Sequence, residues 1–104
     1  MKTAAILMLA TLPVLSAGAA EIAIDQLNKT FSQPALTIKK GDKVAFKNGD
    51  DVTHNITIVD ADDNGNDKGL QKPGETISET FTAAGTYVAR CQIHPKMKMT
   101  IKVE

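Results

Sequence analysis

The sequence predicts one all-β domain, folded as a sandwich or barrel, and three observations lead to that prediction. Apolar and polar residues alternate with a period of two in several short segments. Turn-forming residues interrupt these segments about every eight to twelve residues, which is typical of strands joined by turns. No segment after the first twenty residues repeats apolar residues at the spacing of a helix.

The predicted strands can be placed in order along the chain. Alternation predicts strands at 22–24, 35–39, 44–48, 54–59, 77–81, 86–91 and 99–103. Turn residues separate them, for example Gly41-Asp42 and Ala84-Gly85. Residues 60–74 contain three glycines and Pro73, and this segment is predicted to be a polar loop.

The start of that loop resembles a calcium-binding motif. Residues 60–65 match the opening D-x-D-x-N-G of a calcium loop. The twelfth position requires a bidentate Glu, but it is occupied by Gln71, and no helix is predicted on either side. We therefore interpret the segment as a solvated acidic turn between strands.

Length and charge exclude several classes of function. The 104 residues make one domain at most, and 12 basic residues balance 12 acidic ones. This balance argues against a nucleic-acid-binding protein and against a polybasic membrane anchor. Hydrophobic residues make up 42% of the chain, enough for a folded core. Only four residues are aromatic, so aliphatic side chains must fill most of it.

Residues 1–20 are predicted to be a secretory signal peptide, and residues 21–104 the folded domain. Lys2 precedes an apolar run over 4–15, and small residues with Ala17 and Ala19 in an A-x-A arrangement follow. The run is too short for a membrane span, which needs about 20 apolar residues. We expect cleavage after Ala19 or Ala20 and a periplasmic protein that is not integral to the membrane.

Export makes the only cysteine informative. A single cysteine excludes an internal disulfide, and a free thiol in an oxidising compartment is open to oxidation or cross-linking. Cys91 is therefore either a buried small apolar residue or a thiolate that binds a metal.

The residues near Cys91 favour the metal. The segment Cys91-x-x-His94-Pro95-x-Met97 contains three possible ligands, and His54 begins an upstream strand. A thiolate, two imidazoles and a thioether suit copper, whereas calcium and magnesium prefer oxygen. Two His and one Cys with a distant axial Met form the ligand set of blue-copper electron-transfer sites.

The chain resembles the cupredoxins, the type I blue copper proteins, of the plastocyanin and amicyanin kind. The resemblance covers nearly all of residues 21–104, including the segments 34–38, 41–48 and 91–97 and the pair His54-Asn55. It implies a Greek-key β-sandwich of seven to eight strands. It also implies one copper ion bound by His54, Cys91 and His94, with Met97 as the weak axial ligand, and it implies that Asn55 ties its strand to the loop near Gln92.

The axial position has a second candidate. Amicyanin places two residues between the second His and the Met, which selects Met97 in this chain. Plastocyanin and pseudoazurin place four residues there, which would select Met99. The short His94-Pro95-Lys96-Met97 segment favours Met97.

The resemblance implies a monomeric carrier of single electrons rather than an enzyme. Copper would alternate between Cu(I) and Cu(II), and redox partner proteins would dock transiently near His94. The alternative is a periplasmic copper carrier or storage protein with the same ligands. No nucleic-acid partner is expected.

Overall fold

The computed structural model describes residues 18–104, which form nine β-strands and no helix. None of this part of the chain could therefore cross a membrane as a helix. The predicted signal peptide lies outside the described residues except for its last three positions, and it stays a prediction. The strands are β1 (Glu21–Leu27), β2 (Thr30–Phe31), β3 (Ala35–Ile38), β4 (Lys43–Asn48), β5 (His54–Val59), β6 (Gly65–Gln71), β7 (Thr76–Thr80), β8 (Gly85–Arg90) and β9 (Lys98–Val103).

The strands form two sheets. One has the order β2-β1-β4-β7 and the other the order β3-β9-β8-β5-β6. The β1–β4 and β3–β9 pairs are parallel, and the other pairs are antiparallel. The predicted all-β sandwich is confirmed, with nine strands where seven to eight were expected.

The prediction of a polar loop at 60–74 was wrong for its middle part. Residues 65–71 form β6, which pairs with β5 at the edge of the larger sheet. Most side chains of β6 face solvent, so the strand lacks the apolar alternation that signals a strand in the sequence. A shift in register beside Ile56 and Thr57 adds a further irregularity, and Gly69 there has a positive φ of 108°.

The acidic turn at the start of that segment is confirmed as a turn between β5 and β6. The Asp60 carboxylate accepts hydrogen bonds from the backbone N–H of Asp62 at 3.0 Å and of Asn64 at 2.9 Å. These bonds, the one from Asn64 first, lower the pKa of Asp60. The carboxylate therefore closes its own turn, as Asp residues commonly do.

The core lies between the two sheets and is mainly aliphatic. Ile24, Val44, Phe46 and Ile101 are all fully buried. Phe31 meets Phe46 edge-on with 6.0 Å between the ring centroids, a geometry that aromatic pairs prefer. Inward residues alternate with exposed ones along β4 and β9, as the sequence pattern predicts for strands with one face on the core.

The order of the larger sheet determines where the functional residues meet. Strand β8 lies between β9 and β5 and is antiparallel to both. The beginning of β5, the end of β8 and the beginning of β9 therefore lie at one end of the sheet. His54, Cys91 and Met97 lie at these three strand ends.

A buried group of amides joins the two sheets beside that end. The Gln71 side chain accepts a hydrogen bond from Gln26 Nε2 at 2.7 Å and donates to the carbonyls of Phe46 at 2.8 Å and Glu75 at 3.0 Å. Asn48 donates to the Gln71 carbonyl at 3.1 Å. Because Gln26, Asn48 and Gln71 are fully buried, loss of one partner leaves others without water to replace it.

Replacing Gln71 tests this group. We expect Gln71→Met, which keeps the volume and removes the amide, to lower the free energy of unfolding of the metal-free protein by about 1–3 kcal/mol. Chemical denaturation measures it. The control is Gln33→Met, because Gln33 is exposed, and we expect it to change stability by less than about 0.5 kcal/mol. Equal effects of the two substitutions would contradict a structural role for the buried amide.

Candidate metal centre

The loop between β8 and β9 brings three of the predicted ligands close together. Cys91 directly follows β8, and two successive turns lead to β9. The His94 N–H donates to the Cys91 carbonyl at 3.2 Å, and the Met97 N–H donates to the His94 carbonyl at 2.8 Å. The Cys91 N–H donates in turn to the Met97 carbonyl at 3.3 Å, which closes the loop. The spacing of two residues between successive ligands follows from these turns.

Pairing of β8 with β9 also fixes the positions of the two methionines. Arg90 pairs with Lys98 and Ala89 with Met99, so the next position in this register places Cys91 opposite Met97. Opposite residues in an antiparallel pair point to the same face of the sheet. Met99 is also buried, but it lies two residues further along β9, about 7 Å from Met97 by the rise of a strand.

His54, Cys91 and His94 point their donor atoms at one another. The Cys91 sulfur lies 3.8 Å from His54 Nδ1 and 3.5 Å from His94 Nδ1, and the two Nδ1 atoms lie 3.1 Å apart. One ligand atom from each residue can be chosen so that all three lie within 4.8 Å of one another. His54 and Cys91 are buried and His94 is partly exposed. Thiolate sulfur and imidazole nitrogen suit copper, so the residues present fit a copper ion.

The surroundings of His94 oppose its protonation in the metal-free protein. Burial lowers the pKa of His94, and electrostatic interactions with His54 and Lys29 lower it further. The Asp50 carboxylate acts in the opposite direction but does not outweigh them. A neutral imidazole is the form that binds a metal.

Asn55 connects the strand of His54 to the strand of Cys91, as the resemblance implied. Its backbone N–H donates to the Cys91 sulfur at 3.3 Å, and its side-chain Oδ1 accepts from the Gln92 N–H at 3.0 Å. Its Nδ2 donates to Asp67 Oδ1 at 2.8 Å on β6. Asn55 is buried, so these bonds fix its orientation without competition from water.

Asp50 is a member of the site that the sequence did not indicate. Its Oδ2 lies 2.8 Å from His54 Nε2, and its side chain is 12% exposed. The same carboxylate accepts the backbone N–H groups of Asn28 at 2.6 Å and Lys29 at 2.8 Å. A carboxylate on the far nitrogen of a ligating His fixes its tautomer and ring orientation. The only feature of the sequence that could have indicated this contact is the position of an aspartate four residues before His54.

Burial and hydrogen bonding oppose each other in setting the acidity of Asp50. Partial burial raises the pKa of this carboxyl, and the hydrogen bonds from His54, Lys29 and Asn28 together outweigh it. The pKa is therefore below its usual value, and the group is a carboxylate wherever the protein is near neutral pH.

The family of copper-binding proteins that includes plastocyanin and azurin matches residues 18–104 of this chain. Methylamine utilization protein MauL of Methylorubrum extorquens is 32% identical over 89 residues, which are 86% of this chain and 78% of that protein. Amicyanin of Paracoccus denitrificans is 33% identical over 80% of this chain and 65% of its own length. Chloroplastic plastocyanin of Chlamydomonas reinhardtii is 38% identical over 70% of this chain, but this chain spans little more than half of it, 56%.

Solved amicyanin structures have the same fold. The Cu(I) structure of one amicyanin mutant has a TM-score of 0.73 and 29% identity, and it covers 88% of this chain and 86% of its own. A reduced form of another mutant also has a TM-score of 0.73, with 32% identity and 86% of each chain covered. The chain therefore belongs to the plastocyanin/azurin family of copper-binding proteins: it is a cupredoxin, a small electron-transfer protein whose cofactor is copper.

Proposed function

We propose that this chain carries single electrons between redox partner proteins of the periplasm and binds one type I copper ion through His54 Nδ1, Cys91 Sγ, His94 Nδ1 and the Met97 thioether. The observation that carries the proposal is the convergence of two imidazoles and a thiol, from the start of β5 and from the β8–β9 loop. Bound copper supplies a one-electron Cu(I)/Cu(II) couple. The protein is monomeric and reaches the periplasm through the predicted signal peptide at residues 1–20.

The protein's own contribution is to hold the ligands in one arrangement for both oxidation states. The backbone N–H of Asn55 donates to the Cys91 sulfur and stabilises its negative charge, as a thiolate ligand requires. The Asn55 side chain holds the backbone beside Cys91, and Asp50 holds the ring of His54. Ligands that need not move make the reorganisation energy of electron transfer small.

His94 is the point at which electrons enter and leave. Unlike His54 and Cys91, it is partly exposed, and its neighbour Ile93 is 49% exposed. The apolar side chains of Ile93 and Pro95 lie on either side of His94 in the loop, and water is easily displaced from such a surface when a partner docks. Small, weak contacts of this kind suit transient redox encounters.

Met97 is the better axial candidate because of its place in the strand register. Its carbonyl accepts the Cys91 N–H, and Met97 lies opposite Cys91, whereas Met99 lies opposite Ala89.

A copper carrier or storage protein would use the same donors, but plastocyanins and amicyanins are the relatives found, so that alternative is not favoured.

Adding Cu(II) to the purified metal-free protein tests the function. We expect an intense blue absorption from thiolate-to-copper charge transfer, which disappears reversibly on uptake of one electron. Cys91→Ser removes the thiolate and should abolish the blue band. Met99→Leu changes a buried methionine outside the proposed ligand set, so we expect it to retain the band. Absence of blue colour in the unmodified protein would refute a type I site.

Substitution of each methionine tests the axial ligand. We expect Met97→Leu to shift the absorption spectrum and raise the reduction potential, because loss of an electron-pair donor disfavours Cu(II) more than Cu(I). We expect Met99→Leu to leave both nearly unchanged and to cost less than about 1.5 kcal/mol of stability. Voltammetry and absorption measure the two effects. The reverse pattern would assign Met99 as the ligand.

The lowered pKa of Asp50 predicts a pH-dependent contribution to stability. Because the folded protein binds this proton less readily than the unfolded chain, the contribution is present above the ordinary value of 3.8 and is lost as pH falls through the folded pKa below it. We expect Asp50→Asn to lower the melting temperature of the metal-free protein at neutral pH, and we expect the difference from wild type to shrink as pH falls below about 4. Asp51→Asn is the control, because Asp51 is its exposed neighbour. A difference independent of pH would exclude the carboxylate's charge as the cause.

A further inference from the structure

A groove of about 660 Å³ lies beside His94, between the β1–β2 hairpin and the β8–β9 loop. Its floor and walls are largely apolar. Phe31 and Met97 are buried within it, at 6% and 2% exposure, and the exposed Ile93 lies at its side. Pro34 and Pro95 also line it. An apolar centre next to the proposed electron port is therefore open to a partner.

Three lysines line this groove. Lys29 comes from the hairpin turn, and Lys96 and Lys98 come from the loop and the start of β9. All three are exposed, and none forms a salt bridge with a carboxylate of residues 18–104. The lining contains no Asp or Glu. The charge of Lys29 also acts on the ring of His94, which places it close to the electron port.

Asp50 contacts the hairpin turn but forms no ion pair with the three lysines. Its oxygens are occupied by His54 and by the N–H groups of Asn28 and Lys29, and its side chain is 12% exposed. Those hydrogen bonds hold Asn28 and Lys29 in the left-handed region, each with a φ of 55°. A non-glycine residue rarely adopts this conformation, so Asp50 stabilises the turn that carries Lys29 along the groove.

We propose, on the basis of the electron-transfer function proposed above, that this groove docks a redox partner protein whose contact surface is apolar at its centre and ringed by carboxylates. An apolar centre with a charged rim is the usual anatomy of a protein interface. The unpaired lysines attract carboxylates from a distance and orient the partner toward His94, while the apolar floor supplies the short-range contact. Charge complementarity of this kind acts mainly on the association rate.

A matched pair of probe proteins tests the sign of the charge on the partner's contact surface. One probe is a lysine-rich haem protein. The other is the same protein after succinylation, which converts its ammonium groups into carboxylates. Stopped-flow absorption gives the second-order rate constant for electron transfer from the reduced copper protein. At low ionic strength we expect the succinylated probe to react faster, with a rate that falls as salt is added.

Variants of the three lysines test whether the effect of charge on the electron-transfer rate arises at the groove. We expect the triple variant Lys29→Gln, Lys96→Gln, Lys98→Gln to slow the reaction with the succinylated probe roughly tenfold at low salt, and less than about twofold in 0.5 M salt. The control variant is Lys39→Gln, Lys40→Gln, Lys102→Gln. It loses the same net charge, and its three exposed positions lie at the other end of β3 and β9, where Ile38 pairs with Val103. Equal slowing by the two variants would overturn the proposal in favour of a net-charge effect.

Failure of the docking proposal can be distinguished from failure of the function. Oxidation by hexacyanoferrate(III) and the blue absorption report the copper site without a protein partner. If the blue site is intact and reacts faster with the unmodified lysine-rich probe, the proposal of an acidic partner is wrong, but the proposed electron-transfer function is not affected. A protein that forms no blue site would overturn both.

Discussion

The hydrogen bonds of Asn55 are the constraint on which the rest of the site depends. The proposed copper ligands come from the start of β5 and from the loop after β8. The ladder between β5 and β8 is formed on the β5 side by Thr57, Ile58 and Val59. Beyond the ladder, at the site itself, the connection is made by Asn55 through its N–H to the Cys91 sulfur and its Oδ1 to the Gln92 N–H. Asp67 holds the other end of the Asn55 amide. Through these bonds the edge strand β6, which contributes little to the core, helps to determine the distance between His54 and Cys91.

The sandwich holds three possible metal-binding atoms within a few ångströms of one another. Two ring nitrogens 3.1 Å apart and a sulfur within 3.8 Å of both repel one another unless a proton or metal lies between them. The sandwich supplies the free energy to keep them there, chiefly through burial of side chains such as Phe46 and Ile101. A packed framework of this kind would keep the proposed ligands in the same positions in both oxidation states.

Much of the fold was predictable because its signals are local. Strands β4 and β9 alternate buried and exposed residues, so their sequences alone reveal them. Strand β6 does not alternate, since its side chains mostly face solvent, and it was predicted as loop. The candidate ligands were also predictable, because a chain with one cysteine and two histidines offers few other soft donors. Asp50 was not, because its role depends on a side-chain orientation and on the distant β1–β2 turn, neither of which is visible in the sequence around it.

The lysines of the groove illustrate the same limit, and they also show why net charge is a poor guide to partners. Basic and acidic residues balance over the whole chain, and that balance alone predicts no preference for a partner of either sign. Folding separates the charges: Lys29 joins Lys96 and Lys98 beside His94, while Asp50 is drawn beneath the turn and satisfied by hydrogen bonds. Within a Debye length of about 8 Å at physiological salt, an approaching protein senses this local surface and not the total charge. The turn that carries Lys29 and the ring of His54 are held by the same carboxylate. The surface proposed to select the partner and the frame of the proposed metal ligands are therefore built from one set of contacts.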